Sequence, residues 1–314
     1  MSRQAIVEEL HKPARRNYER LAVVTKGIDD LWQSDLVEMS SGNLKNVHKL
    51  NKGNKYLVTV IDTFSKFAWA LPLKAKTGTC VTEAFKLIFR ESGGRRPRFL
   101  QTDNGKEFYN AVFQKFIQKH KIRHYSSFSH IKASIVERFN RTLKTHMWKR
   151  FTLRGNYKWV DILPELVDTY NDTVHRTIGM KPADVTKSDE QRLISTVYCP
   201  KYTPTTTKKS KFKIGDQVRI SKFKRTFEKG FTKNWSTELF TVVRVLPGNR
   251  HTYIIKDSSG EILKGRFYEE ELSKTKHPDT YLIEKVLRRK GDKLLVKWLG
   301  LPEKSWIDAN EVIL

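Results

Sequence analysis

Apolar residues alternate or cluster in short runs over residues 32–39, 56–61 and 67–73, a pattern that predicts three β-strands in an antiparallel meander. Val81, Ala84, Phe85 and Ile88 then recur at helical spacing. A strand at 99–102, a helix carrying Val112, Phe113, Phe116 and Ile117, and a strand at 122–126 follow. Five strands with helices between them predict an α/β core built on a mixed five-stranded sheet flanked by helices. A long helix opens near Glu137, with Ile135, Val136, Phe139 and Leu143 on its buried face, and Trp159, Ile162, Leu163, Leu166, Val167 and Tyr170 form a second helical stripe. Farther on the period shortens. Runs such as DQVRI, LFTVVRVL and TYIIKD, separated by Gly, Asn and Ser, read as all-β. The pattern divides the chain into a basic N-terminal segment (1–28), the α/β core (29–186), a basic linker (187–211), a small β domain (212–274) and a last β module (278–314).

Charge narrows the partners. The chain has 60 Lys and Arg against 34 Asp and Glu, a formal net charge of +26, which implies a polyanion. Residues 138–158 hold seven Lys and Arg and no acid, with Trp148 and Tyr157 interleaved, as a phosphate-tracking surface would. Glu137, Asn140, Arg141, Lys144 and Trp148 are spaced to share one helix face. No run is long and apolar enough to read as a membrane span or signal peptide. The two cysteines, Cys80 and Cys199, lie too far apart in sequence to suggest a disulfide framework and point to a reducing compartment.

Within this basic chain three acids stand out. Asp35 sits in a strand-like run, Asp103 ends a short strand at an Asn-Gly turn, and Glu137 opens the basic helix. Two divalent cations about 3.5–4 Å apart activate an attacking oxygen and stabilise a leaving one, and Mg²⁺ favours carboxylate oxygens, so three acids are the minimum donor set. Each also has a plainer reading, as a polar strand residue, a turn former and a helix surface charge respectively. Asp62 is the rival for the first position, but it falls where the chain turns between strands and reads as structural. His175, near a helix end, reads as a capping or packing residue.

The segments KGIDDLWQSDLVEM, YLVTVIDTFSKFAWALPLKAKT, FLQTDNGKEF, ERFNRTLK and YNDTVHRTIGMKPADV resemble, in this order, the catalytic core of retroviral and retrotransposon integrases, most closely those of Maverick/Polinton transposons. The resemblance implies a ribonuclease-H-like fold and a DDE-type polynucleotidyl transferase that trims DNA ends and joins them to a target. It implies a catalytic and metal-binding triad of Asp35, Asp103 and Glu137, two Mg²⁺ or Mn²⁺ ions per site, and DNA contacts from Asn140, Arg141 and Lys144, to which the exposed face adds Trp148. Asp103 and Glu137 lie 34 positions apart, close to the family spacing. Residues 127–134 would be the loop that moves when DNA binds, or an ordinary exposed connection. A homo-oligomer on DNA, a tetramer, is implied as well, together with a nuclear location. The alternative is a domesticated descendant that binds DNA or chromatin without cutting it.

FKIGDQVRI and NWSTELFTVVRV resemble the Src-homology-3-like barrel that follows integrase cores, and there Lys222, Lys224 and Arg225 are the expected DNA contacts. Such contacts position DNA without reading its sequence. The final segment resembles a chromodomain. Tyr281 and Trp298 match two walls of a methyl-lysine cage for a histone tail, Leu301 stands where a third aromatic is common, and Trp306 matches a packing position. A His-His-Cys-Cys zinc module, frequent at integrase N-termini, has too few cysteines here; it is either missing or truncated away, and residues 8–20 read as a short basic helix.

Overall fold

The computed structural model describes every residue except 1–2, 16, 19–22, 24, 41–45, 127–132, 199–208, 223, 225–230, 249, 279, 302 and 313–314. It contains two units, one spanning 22–203 and one combining 1–21 with 204–314. Helix α1 (Arg3–His11) belongs to the latter.

In the 22–203 unit the chain runs β1 (Leu31–Glu38), α2 (Val47–Leu50), β2 (Tyr56–Asp62), β3 (Ala68–Leu73), α3 (Gly78–Glu91), β4 (Phe99–Thr102), α4 (Ala111–Lys119), β5 (Arg123–Ser126), α5 (Ser134–Arg154), α6 (Leu163–Asn171) and α7 (Glu190–Leu193). The strands form one sheet in the order β3-β2-β1-β4-β5. β1, β2 and β3 pair antiparallel, while β4 runs parallel to β1 and β5 parallel to β4. The expected mixed five-stranded sheet is therefore what the chain builds. Alternation sends Leu57 and Ile61 to a cluster with α5 and α6, and Val58 and Val60 to a cluster with α3 and α4. Helices cover both faces, which is why β2 reads as a nearly continuous apolar run.

Side-chain caps fix the helix starts on one side of the sheet. Thr77 accepts a hydrogen bond from the amide of Cys80 and Asn110 one from Phe113, satisfying orphan donors of α3 and α4. α5 buries Val136, Phe139, Leu143, Met147 and Phe151, so its apolar stripe runs two turns farther than the sequence pattern implied, and Ile135 is only partly covered. Trp159 and Ile162 are buried, but they precede α6 and reach the core from the connection before it.

Several boundaries move. Residues 187–198, expected in the linker, are helical and belong to the core. The ring of Tyr198 stacks on Phe64 at 4.9 Å, and Glu190 accepts the Ile28 amide at 2.8 Å. Of the remaining linker, 201–208 lie outside the described residues, as does most of the loop at 127–134. The N-terminal helix spans Arg3–His11 instead of 8–20.

In the second unit β6 (Gln217–Ile220), β7 (Phe240–Leu246), β8 (Thr252–Lys256), β9 (Phe267–Tyr268) and β10 (Leu272–Lys274) form a sheet in the order β10-β6-β7-β8-β9 around Phe212, Val218, Val242, Tyr253 and Ile255. A three-stranded antiparallel sheet follows, β11 (Ile283–Lys290), β12 (Lys293–Trp298) and β13 (Lys304–Asp308). Val296 is buried there, whereas Trp306, expected to pack, is 44% exposed because β13 is an edge strand with one face uncovered. The first residues are not an independent segment. Glu9 pairs with the buried Arg219 at 2.7 Å, and the carbonyl of Leu10 accepts the amides of Asn234 and Trp235.

Candidate active site and nucleic-acid interface

The site begins with strand register. β1 and β4 pair in parallel with Gln33 opposite Gln101, so Asp35 within β1 and Asp103 just past the end of β4, each two residues farther along, come level with each other on the same sheet face. The carboxylate of Asp35 accepts the amide of Leu36 at 2.9 Å through Oδ1 and the Asn140 side chain at 2.8 Å through Oδ2. Burial pushes this carboxyl above the usual aspartate range. The Leu36 amide opposes that shift, the charge of Asp103 adds to it, and Lys144 and Asn140 oppose it. Asp103 is held by its own turn, with Oδ1 accepting the Gly105 amide at 3.1 Å.

The third acid arrives on α5, and a buried glutamine sets how that helix meets the sheet. Its N-cap is Ala133, which provides no side-chain oxygen. Gln33, fully buried on β1, supplies one instead: its Oε1 accepts the amides of Ile135 and Val136 at 2.9 and 3.1 Å, and its Nε2 donates to Gln101 at 2.9 Å. One strand thus presents Asp35 and, two residues earlier on the same face, the group that anchors the helix carrying Glu137. Nothing local in the sequence signals this cap, because its two halves are 102 and 103 positions apart.

Asp35, Glu137, Asn140, Arg141, Lys144 and Trp148 line an open groove of about 1100 Å³. Arg141, Lys144 and Trp148 are exposed, as a polyanion-binding face requires. Asn140 is not. It is 7% exposed and donates its amide to Asp35, which orients the acid. Its Oδ1 is buried with no partner among the described residues.

The triad is only partly assembled. Asp35 and Asp103 lie within each other's field, and Asp35 and Glu137 share the groove, but Asp103 is not among the groove-lining residues. Among the described residues no three His, Cys, Asp or Glu side chains stand close enough to hold a metal. Asp35 and Asp103 thus stand as a pair, with Glu137 on α5 lining the same groove as Asp35. For a divalent ion the donor set nevertheless fits: two carboxylates from adjacent strands, a third on the facing helix, and an unsatisfied amide oxygen beside them.

Asp62 is structural, as its turn position implied. It accepts the amides of Phe64 and Ser65, the Ser65 hydroxyl at 2.6 Å and the Arg95 guanidinium at 3.1 Å. His175 packs beside Tyr170 and accepts the Thr177 amide; burial, then Lys66, Arg138 and Arg176, lower it to about 4, so it is neutral near pH 7. In the second unit Lys222 is exposed, whereas Lys224 is 8% exposed and donates to the Thr232 carbonyl; Arg225 lies outside the described residues. Tyr281 and Trp298 do meet, ring centroids 5.9 Å apart and edge to face, with the half-buried Leu301 nearby in sequence.

Residues 27–129 match the family described as integrase core domain. The match contains Asp35 and Asp103 and stops short of Glu137. The chain is 38% identical over 192 residues to a transposon-derived protein of Caenorhabditis elegans, covering 61% of this chain and 64% of that protein. It is 31% identical over 158 residues to the Gag-Pol polyprotein of gibbon ape leukemia virus, covering 49% and 9%. The chain thus spans less than two thirds of the length of either relative. Among solved structures, a chain of the simian T-cell lymphotropic virus intasome, in complex with PP2A regulatory subunit B56 gamma, aligns with a TM-score of 0.56 and 17% identity over 83% of each chain. That likeness concerns the fold alone, a mixed five-stranded sheet flanked by helices in the ribonuclease-H-like arrangement.

Proposed function

We propose that this chain is a transposon-type integrase, of the kind found in Maverick/Polinton elements, that processes DNA 3′ ends and joins them to a target. The observation that carries this reading is the Asp35–Asp103 pair on adjacent parallel strands, with Asp35 and Glu137 lining a cationic groove. Similarity to a transposon-derived relative and to a retroviral polyprotein supports it. Mg²⁺ or Mn²⁺, two per site, would be held by Asp35 and Asp103 with Glu137 from α5, and would supply activation of the attacking oxygen and stabilisation of the leaving one. The protein's own groups do the rest. Asn140 fixes the Asp35 carboxylate, Arg141 and Lys144 neutralise phosphates along the strand, and Trp148 offers a face for stacking a base.

In end processing, water attacks a phosphodiester near the DNA end, leaving a free 3′-OH and a 5′-phosphate on the released piece. In joining, that 3′-OH attacks a target phosphodiester and displaces a target 3′-oxygen. Two ends must act together, so the working form is an oligomer on DNA, a tetramer, in the nucleus. The sheet of β6–β10 acts as a Src-homology-3-like DNA-binding barrel through Lys222. β11–β13 act as a chromodomain-like module, in which Tyr281 and Trp298 give a methylated lysine of a histone tail two aromatic walls.

A second reading, a catalytically silent DNA-binding descendant, is supported by the similarity to a transposon-derived protein. Incubation of the purified chain with labelled duplex ends, a plasmid target and Mg²⁺ or Mn²⁺ separates the two. Joined products that vanish in Glu137→Gln are the expected result; retarded DNA without cleavage, for several terminal sequences and both metals, would establish the silent reading.

A further inference from the structure

Asp103 has a buried neighbour that the proposed chemistry does not use. Glu107 is 3% exposed, and its side chain pairs with the half-exposed Lys76 at 3.0 Å. Its carboxylate also lies under the turn that holds Asp103. A Cβ on Gly105 would fall 2.5 Å from Glu107 Oε1 and Cδ, so Glu107 fills the space a side chain at 105 would need. The Gly105 amide is the one that donates to Asp103 Oδ1, and the Gly105 carbonyl accepts the amides of Phe108 and Tyr109. Lys76 in turn lies within the field of Asp103. The turn is braced farther along: Asn110 donates to the carbonyls of Lys106 and Glu107, and Gln114 to the carbonyl of Phe108.

A carboxylate this buried costs stability unless it is paired and well bonded. A surface ion pair would serve the fold with neither the burial nor the contact to Gly105. We propose that Glu107, anchored by Lys76 and pressed against Gly105, is a positioning residue that fixes the carboxylate of Asp103 for divalent-metal binding. The inference rests on the proposed integrase reading. It concerns the second layer around an acid, where loss of one partner typically weakens metal binding about 10- to 100-fold.

The test uses the full chain without DNA. Mn²⁺ binding is measured by calorimetry, and hydrogen exchange of the peptide spanning 102–110 is followed in metal-free protein. Glu107→Gln keeps the shape and removes the charge, Glu107→Gln with Lys76→Met restores the net charge without the ion pair, and Asp103→Asn is the control. The expected result is Mn²⁺ binding at least tenfold weaker in both the single and the double variant, with faster exchange confined to 102–110 and an unchanged thermal midpoint. If the double variant recovers wild-type affinity, Glu107 acts through charge alone and the proposal is overturned. Wild-type binding in Glu107→Gln overturns it too, as does a fall in thermal midpoint with faster exchange throughout the sheet. In all three cases Asp103→Asn still loses Mn²⁺. Should the wild type bind Mn²⁺ no better than Asp103→Asn, the metal-dependent reading itself fails and the positioning role with it.

Discussion

Asp35 and Asp62 stand on neighbouring strands of one sheet, both pushed above the usual aspartate range by burial, and they have opposite surroundings. Asp62 is enclosed by two amides, a hydroxyl and Arg95, whose guanidinium also grips Asp29 and lies near the rings of Phe67 and Trp69. Asp35 has one amide, one carboxamide and a second carboxylate for company. A satisfied buried acid holds a fold together. An acid kept beside another acid at the wall of a basic groove leaves negative charge that a cation would offset, and that contrast separates the structural residue from the catalytic candidate.

Substitutions can break this comparison. Asp35→Asn should abolish joined products, a loss of at least about 1,000-fold or about 4 kcal/mol of transition-state stabilisation, while leaving the fold intact. Asp62→Asn should do the reverse. It removes one partner of Arg95, which keeps Asp29, and weakens the bonds to the Phe64 and Ser65 amides, and should lower unfolding stability by about 1–3 kcal/mol in a denaturant titration, with activity per folded molecule largely retained. Equal loss of activity in the two variants at equal folded fraction would erase the distinction.

Gln33→Leu sharpens the point, since it removes the cap of α5 without touching an acid. Leaving two first-turn amides unpaired should cost about 1–3 kcal/mol, seen as a lower thermal midpoint, and should reduce joining by misplacing Glu137. The pH dependence carries a smaller signal. Because folding raises the Asp35 pKa, metal-free stability attributable to this residue is fully present below the unfolded value near 3.8 and is lost as pH rises through the folded value. The thermal midpoint of Asp35→Asn relative to wild type should therefore climb over that window, and Mn²⁺ affinity of the wild type should weaken as pH falls through it. The smallest expected change is at Lys144. Lys144→Ala should weaken DNA binding for all sequences alike and reduce the slope of log K against log salt by about 1.

Much of this architecture is legible in the chain because it depends on local period. β4 spans the residues its pattern predicts, and the short apolar run of β2 and the i, i+3, i+4 stripe of α5 assign strand and helix before any contact is known. Charge likewise announces a polyanion. Boundaries were less legible. Residues 187–198 look like linker because their few apolar groups, Leu193 and Tyr198 among them, acquire meaning only against Phe64 and Ile178.

The sequence by itself determined the strand and helix order, the basic face of α5 and the placement of Asp35 within one strand and Asp103 at the end of another, since each follows from side-chain period and charge along a single segment. Tertiary structure alone decided which groups meet. It turned Asn140 inward onto Asp35, buried Lys224 against the Thr232 carbonyl, recruited Gln33 to cap a helix 102 positions away and set Glu107 beneath Gly105. Each of these depends on strand register or on the packing of a helix against a sheet. Hydrogen-bond geometry across such distances has no period for a sequence to display.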